Sequence, residues 1–451
     1  IIYSEDYLSE GSTGAPKRLP IDWQDSKFTD DDSIEKETRR IFDVCHGCRR
    51  CFNLCDSFPR LFDLIDQSES GELDSVKTDD FSSVVDACTL CDMCFMTKCP
   101  YVPPHEFNID FPHLMLRHRV ADFKKNKNSL GSKIITKTDR NGKIGCSVSS
   151  VANFVNNRKN TLTRVPMEKV LGIHRDAELP KFAKKTFEKQ IKKNKPIINQ
   201  NAPGYGRKVV IFPTCFVNYN SPDIGLSAEK VLALNGVSTS TVYPSCCGMP
   251  QLESGDIEAV AKYARKTSLD LLPWLDKGFR VVSFVPSCSL MMKSEWPLIL
   301  PNDANVKRLS KSTFDICEYM VDLSKNEGLL SGLKPLDGGI TLHISCHSRA
   351  QNMGQKAAEM LRNIPETQID VIERCSGHGG SWGVMKDNFE LATKIGQPVV
   401  KKIENNQSEF ISSECPLAGS HIAQGLESSQ SEGSAPKHSF HPIELLSKSY
   451  S

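Results

Sequence analysis

The sequence lacks features that would place it in several common classes. No apolar run approaches the roughly 18 residues of a membrane-spanning helix. The longest apolar segments are short, and the one over residues 209–212 is ended by Pro213. The formal net charge is +1, from 56 Lys and Arg against 55 Asp and Glu, so overall charge favours neither a nucleic acid nor an acidic partner. No Gly-x-Gly-x-x-Gly segment opens a helix, which excludes the usual dinucleotide site.

The beginning of the sequence also lacks two familiar features. Residues 1–6 have neither the basic segment nor the apolar segment of a secretory signal peptide. They have no initiator Met, which indicates a fragment or a trimmed product. The 451 residues are enough for two or three domains with a sizeable core.

Cysteine, by contrast, is abundant and strongly grouped. The 17 cysteines are odd in number and stand at spacings typical of metal sites, so we expect reduced thiolates in a cytosol. Within residues 45–99, each of two runs places three cysteines at two-residue gaps and a fourth slightly further on. This spacing is typical of a [4Fe–4S] cluster, whose fourth ligand in two-cluster ferredoxins comes from the other run. The predicted ligand sets are Cys45, Cys48, Cys51 and Cys99 for one cluster, and Cys88, Cys91, Cys94 and Cys55 for the second.

Two alternatives to iron–sulfur clusters fit these runs less well. Zinc favours two separated pairs of ligands, and three cysteines at consecutive two-residue gaps would crowd a tetrahedral ion. Disulfides at this density belong to short secreted scaffolds. The runs depart from the ferredoxin pattern because Asp56 replaces a proline and four residues precede Cys99, but neither change removes a ligand.

From Arg207 onward, β-rich runs that end in cysteine alternate with helical segments. Strands over 208–212, 237–242 and 279–284 lead to Cys215, to Cys246 with Cys247, and to Cys288. Strands over 340–344, 369–372 and 409–411 lead to Cys346, Cys375 and Cys415. The corresponding cysteines are offset by 131, 129 and 127 residues, which indicates an internal duplication.

This alternation predicts the fold class of the second half. Helices expected over 228–234, 257–275, 355–363 and 389–403 would connect the strands into parallel sheets. Because ligands bind at the carboxyl ends of parallel strands, three strand ends in each half would bring their thiols together. The prediction is a multidomain α+β chain, in which a helical ferredoxin-like domain with two clusters precedes a duplicated α/β cysteine-rich domain.

Five segments follow from these patterns. They are an N-terminal arm (1–40), a ferredoxin-like domain (41–125), a helical basic linker region (126–205), a first cysteine-rich repeat (206–330), and a second repeat with a C-terminal helix (331–451). Helices are expected over 33–42 and 111–125 and from His441-Pro442. The lysine-rich residues 181–195 favour a solvated helix over one lying on an anionic membrane, because their apolar stripe is narrow.

The repeated unit resembles the cysteine-rich repeat of heterodisulfide reductase subunits. It consists of a Cys, a Cys-Cys-Gly about thirty residues later and a last Cys about forty residues further. Together with the upstream runs, residues from about 15 to 450 look like the C-subunit family of anaerobic glycerol-3-phosphate dehydrogenase. The segments that carry the resemblance are Cys45-His-Gly-Cys48, Cys94-Phe-Met-Thr-Lys-Cys99-Pro100, Ser287-Cys288-Ser289-Leu-Met291 and Arg374-Cys375-Ser-Gly-His378.

The resemblance implies an electron-transfer subunit attached to the cytoplasmic face of a membrane. Such a subunit passes electrons from a flavoprotein dehydrogenase to quinone, and in the heterodisulfide reductase relatives complete repeats hold non-cubane clusters and act on disulfides. Two other functions stay open from sequence. One is a cytosolic reductase of a thiol, a disulfide or a related acceptor that uses the first repeat, and the other is a scaffold with structural clusters.

This chain departs from the complete repeat at three positions. A complete unit ends in Cys-x-x-Cys, but the first of these two cysteines is replaced by Val285 in the first repeat and by Ser412 in the second. In the second repeat, Ser376 also replaces the second cysteine of the Cys-Cys-Gly segment. The first repeat therefore keeps Cys215, Cys246, Cys247 and Cys288, which suffice for one cluster. The second keeps Cys346, Cys375 and Cys415, with His347 and His378 nearby as candidates for the fourth ligand. The alternative is that these three cysteines are inert core residues. Cys146 and Cys317 fit no motif and are expected in the core.

Overall fold

The computed structural model describes residues 16–429 and 438–451, which form two compact units. The first unit contains the described residues up to Asn128 together with Gln251–Ala261 and Pro297–Asn302; the second contains Ser129–Pro250, Lys262–Trp296 and the described residues from Asp303 on. The first fifteen residues of the predicted N-terminal arm lie outside the described residues. No helix in the described ranges has both the length and the hydropathy needed to cross a bilayer.

The first unit is helical and its core is aromatic. Phe42 packs on Phe81 with ring centroids 5.2 Å apart, and Phe58 packs on Phe111 at 4.7 Å. Its helices are α1 (Asp31–Cys48), α2 (Ser57–Asp66), α3 (Ser82–Ala87), α4 (Met93–Thr97) and α5 (Phe111–Lys124), with 3₁₀ turns at Ser26–Thr29, Leu73–Ser75 and Thr78–Phe81. Asp30 caps α1 by accepting a hydrogen bond from the Ser33 N–H, and acidic residues follow in the first turn.

The second unit contains two four-stranded parallel sheets with the same strand order. The strands are β1 (Lys208–Phe212), β2 (Ser238–Thr241), β3 (Arg280–Ser283), β4 (Thr313–Asp315), β5 (Ile340–His343), β6 (Ile369–Ile372), β7 (Phe410–Ser413) and β8 (Ser439–Phe440). Their orders are β2-β1-β3-β4 and β6-β5-β7-β8. Val210 pairs with Val281 and Leu342 with Ser412, so the central strands of both sheets have equivalent neighbours.

Helices connect the strands of each sheet. Before β1 lie α6 (Leu130–Ile135), α7 (Thr138–Ser147), α8 (Ser149–Asn156), α9 (Thr161–Leu171) and α10 (Phe187–Lys193). The first repeat contains α11 (Thr214–Tyr219), α12 (Pro222–Leu234), α13 (Met249–Glu253), α14 (Ile257–Asp276), α15 (Pro286–Leu290), α16 (Trp296–Ile299), α17 (Ala304–Ser312) and α18 (Ile316–Asn326), and a π-helical turn at Met291–Glu295. The second contains α19 (Cys346–Ala350), α20 (Lys356–Leu361), α21 (Phe389–Asn406), α22 (Pro416–Ser429) and α23 (Pro442–Ser449), with a 3₁₀ turn at Trp382–Val384.

The α/β prediction for the duplicated half is confirmed. The central strands β1 and β5 are almost wholly buried, as expected of strands covered on both faces. Residues 181–195 differ from the expected continuous helix, because only Phe187–Lys193 is helical and its apolar residues Phe187 and Ile191 are buried. Phe187 lies against Gly225 of α12, so the narrow apolar stripe packs inside the protein and leaves the lysines outside.

Candidate functional site

The first cysteine run lies where α1 ends. Cys45 and Cys48 belong to the last turn of α1, and Arg49 then adopts a left-handed backbone conformation with φ 52°. This conformation is uncommon for a residue with a side chain, and here it turns the chain back so that Cys51 follows on the same side. A small cavity is lined by four of the predicted ligands of one cluster, Cys45, Cys48, Cys51 and Cys99.

The second run has similar backbone turns. Leu90 and Asp92, which lie between its cysteines, have φ values of 48° and 63°, and Cys94 lies in the short helix α4. The Arg18 guanidinium donates hydrogen bonds of 2.8 Å to both Asp92 and Asp110, and it lies over the ring of Phe95. This contact fixes the Asp92 turn between two of the cysteines.

Electrostatic interactions show which thiols are neighbours. Burial and the charges of Cys99, Cys51 and Cys48 raise the pKa of Cys45. Burial and the charges of Cys91, Cys88, Cys55 and Cys51 raise the pKa of Cys94. The structure therefore brings together the two crossed sets expected from the spacing, and Cys51 of one set lies near Cys94 of the other.

In the first repeat, four thiols converge at the carboxyl ends of the strands; Cys246, Cys247 and Cys288 are buried and Cys215 is half-buried. The sulfur atoms of Cys215 and Cys246 are 3.9 Å apart, and the thiol of Cys247 contacts those of Cys246 and Cys288. Contacts from Cys215, Cys247 and the Gly248 N–H lower the pKa of Cys246, whereas the thiol contacts and burial raise the pKa of Cys215 and Cys247. Gly248 has φ 89°, which orients its N–H toward the Cys246 sulfur at 3.5 Å.

Residues outside the cysteine motif position these thiols. The carboxylate of Asp139 accepts hydrogen bonds from the Cys246 N–H and the Tyr243 hydroxyl, at 2.8 and 2.5 Å. The Trp296 indole N–H donates to the Cys247 carbonyl at 3.0 Å. Thr214, directly before Cys215, is fully buried at φ 69°, a strained conformation for a β-branched residue.

The second repeat brings together a smaller set. The Cys346 thiol contacts Cys375, and this contact, the Gly377 N–H and two nearby arginines lower the pKa of Cys375 to about 7 against the effect of burial. Burial raises the pKa of Cys415 to about 11. Ser376 and Ser412, where a complete repeat has cysteine, are buried, and the Ser412 hydroxyl has no hydrogen-bond partner among the described residues.

Histidines and a cavity adjoin this second set. Burial and the neighbouring His421 and His347 lower the pKa of His378 to about 3, so its ring is neutral, and its buried Nε2 lacks a hydrogen-bond partner within the described ranges. A cavity of about 300 Å³ opens beside Ser376. It is lined by polar and apolar side chains, among them Arg158, Phe389, Thr393, Val400, His421 and Gln424. Ser376 lines it, whereas none of the three cysteines does.

The two repeats also touch each other near their cysteines. The charge of Cys288 contributes to the raised pKa of Cys415, so the two thiols are near neighbours. The Gln351 side-chain amide donates to the Pro286 carbonyl and the Ser289 hydroxyl of the first repeat, and to the His347 carbonyl of the second. Burial and Asp315 raise the pKa of Glu414 to about 8, so a neutral carboxyl lies at this junction.

Several positioning residues escaped the sequence analysis. Arg18 and Asp139 stand far along the chain from the cysteines they support, and Gln351, although it closely follows Cys346, contacts first-repeat residues 65 and 62 positions away. None of the three belongs to a motif, so no local signal identifies them. Of the two cysteines expected in the core, Cys317 is fully buried, whereas Cys146 is half-buried and donates to the Tyr219 carbonyl.

The donor sets fit iron–sulfur clusters in their chemistry. Each consists of thiols beside backbone N–H groups, and thiolates with such donors are the usual ligands of these clusters. Among the residues described, no three potential ligands surround one point closely enough for a single metal ion.

Comparison with known proteins identifies the duplicated half. The family model of the cysteine-rich domain matches residues 209–293 and again residues 340–423. The first segment runs from β1 to the π-helical turn after α15, and the second runs from β5 into α22. The duplication inferred from the cysteine offsets is therefore confirmed.

Relatives extend the similarity to most of the chain. The C-subunit of anaerobic glycerol-3-phosphate dehydrogenase from Escherichia coli is 26% identical over 331 residues, 73% of this chain and 79% of the relative. An iron–sulfur protein of Methanocaldococcus jannaschii is 29% identical over 54% of this chain and 47% of its own length. The D-subunit of the dihydromethanophenazine:CoB–CoM heterodisulfide reductase of Methanosarcina barkeri is 25% identical over 50% of this chain and 55% of the relative. The chain therefore contains two copies of the cysteine-rich domain and is similar over most of its length to iron–sulfur subunits of oxidoreductases, among them the C-subunit of anaerobic glycerol-3-phosphate dehydrogenase.

Proposed function

We propose that the chain is the electron-transfer subunit of an oxidoreductase complex and carries electrons from a flavoprotein dehydrogenase toward quinone. The observation that carries the proposal is the arrangement of eight cysteines of the first unit in two adjacent sets of four. Each set would hold one [4Fe–4S] cluster in a ferredoxin-like domain, and the first repeat would hold a further cluster on Cys215, Cys246, Cys247 and Cys288.

The residues around each set would control the reduction potential of the bound cluster. Clusters of this kind accept and release one electron at a time, and burial and N–H···S hydrogen bonds tune how readily they do so. Here the Gly248 N–H donates to Cys246, which is buried, and the Tyr101 N–H donates to Cys99, which is half-buried. In the iron-free chain the thiols of Cys45, Cys51, Cys94 and Cys247 stay protonated, so cluster insertion must release protons.

The cavity beside Ser376 is the proposed approach for the acceptor. Its volume of about 300 Å³ lies at the lower end of the range for small-molecule pockets, and its lining mixes apolar side chains with hydroxyl, amide and imidazole groups. These groups suit the ring and carbonyl oxygens of a quinone. Ser376 directly follows Cys375, so a molecule in the cavity would stand one residue from the second cysteine set.

The test is anaerobic purification of the complete chain with its native partners, followed by iron and sulfide counting and EPR of the reduced protein. We expect eight irons from the first unit. Cys48→Ser should remove the signal of one cluster and its magnetic coupling to the neighbour, whereas the control Cys146→Ser, outside every set, should change neither. Stoichiometric zinc in place of iron would overturn the proposal.

A reductase of thiols or disulfides is the second candidate. It is supported by the contact between Cys346 and Cys375 and by the pKa of about 7 for Cys375, since reactive thiols have depressed pKa values. Disulfide reduction by the chain without a flavoprotein would favour this candidate. Quinone reduction that requires a copurifying flavoprotein would favour electron transfer.

A further inference from the structure

Exposed apolar side chains are concentrated in one short part of the second unit. Of thirteen large apolar side chains exposed in the described residues, seven lie between residues 130 and 170. They are Leu130 (56% exposed), Ile144 (58%), Val148 (50%), Val151 (64%), Phe154 (65%), Leu162 (86%) and Val170 (65%). Scattered apolar residues on a surface are ordinary, but a concentration of this kind marks an interaction site.

These side chains lie on consecutive short helices. Ile144 lies on α7, Val151 and Phe154 lie three residues apart on α8, and Val148 lies at the break between the two helices. Leu162, Pro166 and Val170 are exposed at intervals of four residues on α9. The opposite side of α7 is firmly packed, because Gly142 lies against Tyr219 and Gly145 against Phe182. The protein therefore holds α7 by one side and leaves an apolar stripe outside.

The same segment is strongly basic. Residues 129–171 contain eight Lys and Arg but only Asp139 and Glu168 as acids, in a chain whose net charge is +1. Of those acids, Asp139 is engaged with Tyr243 and Cys246, and Glu168 pairs with Arg175. Four lysines of this segment are exposed and form no ion pair with any described residue. They are Lys137, Lys143, Lys159 and Lys169.

We infer that α7, α8 and α9 form a docking surface for an anionic lipid bilayer. Apolar stripes flanked by lysine are typical of helices that lie in the headgroup region, where the stripe enters the lipid and the lysines contact phosphate. A protein partner fits less well, because the centres of protein interfaces are depleted in Lys and enriched in aromatic residues, and this surface has one aromatic residue among many lysines.

The surface also adjoins the cavity of the second repeat. Arg158 follows α8 by two residues and lines the cavity beside Ser376. A lipid-soluble acceptor could pass from the bilayer into the cavity over a short path. This biological role rests on the proposed function, whereas lipid binding itself involves no electron transfer and is measured separately.

The experiment is sedimentation of the complete iron-loaded chain with vesicles of phosphatidylglycerol and phosphatidylethanolamine, and with vesicles of phosphatidylcholine alone. We expect binding to the anionic vesicles that weakens as salt rises. The variant Val151→Ser/Phe154→Ser should bind at least about tenfold more weakly, because two apolar side chains no longer enter the lipid. Ile197→Ser/Leu269→Ser is the matched control, since both residues are exposed outside the surface, and it should bind like the parent protein.

Iron content and reduction of a water-soluble quinone are measured on the same samples. Unchanged values in Val151→Ser/Phe154→Ser, with lost vesicle binding, would support the surface. Equal vesicle binding by the parent protein and the variant would overturn it. So would a variant that loses self-association of the chain but keeps its binding to vesicles. If vesicle binding follows the prediction but no quinone is reduced, the docking surface stands and the proposed function fails.

Discussion

The two cysteine-rich repeats share one fold but differ where the chemistry is expected. In the first, four thiols form a chain of contacts from Cys215 through Cys246 and Cys247 to Cys288, and Asp139, Gly248 and Trp296 support them. In the second, Ser376 stands in place of one of those four cysteines, the ring of His378 is neutral, and a cavity opens beside Ser376. The comparison teaches that a duplicated sheet preserves the meeting point of the strand ends while each copy is free to change the groups placed there.

The largest expected effect comes from removing one thiol from each repeat in turn. In the native complex, Cys247→Ser should abolish electron delivery and leave the clusters of the first unit intact, because a serine hydroxyl resists deprotonation and replaces a thiolate poorly. Cys375→Ser should lose less iron. Iron counting and EPR of the two variants decide the matter, and equal iron losses would mean that the repeats are equivalent or share one site.

A second prediction concerns a variant whose second repeat regains the cysteines of a complete unit. Ser376→Cys/Ser412→Cys should raise the iron content of the second repeat, because both serines are buried beside the cysteine set and cysteine differs by only one heavier atom. The matched control is Ser345→Cys, a buried residue outside the motif that caps α19. An iron content no higher than that of the control would show that the second repeat has lost more than its ligands.

The third prediction uses pH to separate two thiols of the second repeat in the iron-free chain. The thiolate is the reactive form and exists above the pKa, so alkylation of Cys375 should rise between about pH 6 and 8, around its pKa of about 7. Cys415, whose pKa is about 11, should stay protonated and react slowly over that range. Mass spectrometry of peptides after brief alkylation measures both, and equal rates would contradict the assigned environments.

The smallest expected effect concerns the junction between the repeats. Gln351→Leu removes two hydrogen bonds that link the Cys288 helix to the Cys346 helix and a third to the His347 carbonyl of its own helix, and should lower the free energy of unfolding by about 1–3 kcal/mol. Gln355→Leu, which loses only a surface contact with Glu373, should cost under about 1 kcal/mol. Urea denaturation compares them, and equal costs would mean that the junction contributes little.

Local patterns predicted most of the framework of the duplicated half. The bounds of β1 and β6 agree with the apolar runs over 208–212 and 369–372, and α21 begins at Phe389 as expected. The edge strands β4 and β8 were missed because they have three and two residues, too few for a periodic pattern. Helices α6 to α9 lie within the expected helical basic linker region, but their individual bounds were not predicted.

The candidate site was predictable to a different depth in each part. Ligand spacing predicted the crossed sets of the first unit, because the number of residues between thiols limits which of them meet. The same reasoning could not find Arg18, Asp139 or Gln351, whose contacts arise only when distant segments fold together. The strain at Thr214 was equally inaccessible, because a φ of 69° at a threonine contradicts its ordinary preference.

His441 has a consequence for the order in which the molecule forms. Its buried ring accepts a hydrogen bond from the Ile443 N–H through Nδ1, and its Nε2 donates to the Phe284 carbonyl at 3.0 Å. Phe284 leaves the end of β3 toward Cys288, and the two partners are 157 residues apart in sequence. Contacts between such distant residues form late, because a long loop must close first. During synthesis on the ribosome, the Phe284 carbonyl therefore cannot accept this hydrogen bond until residue 441 has emerged.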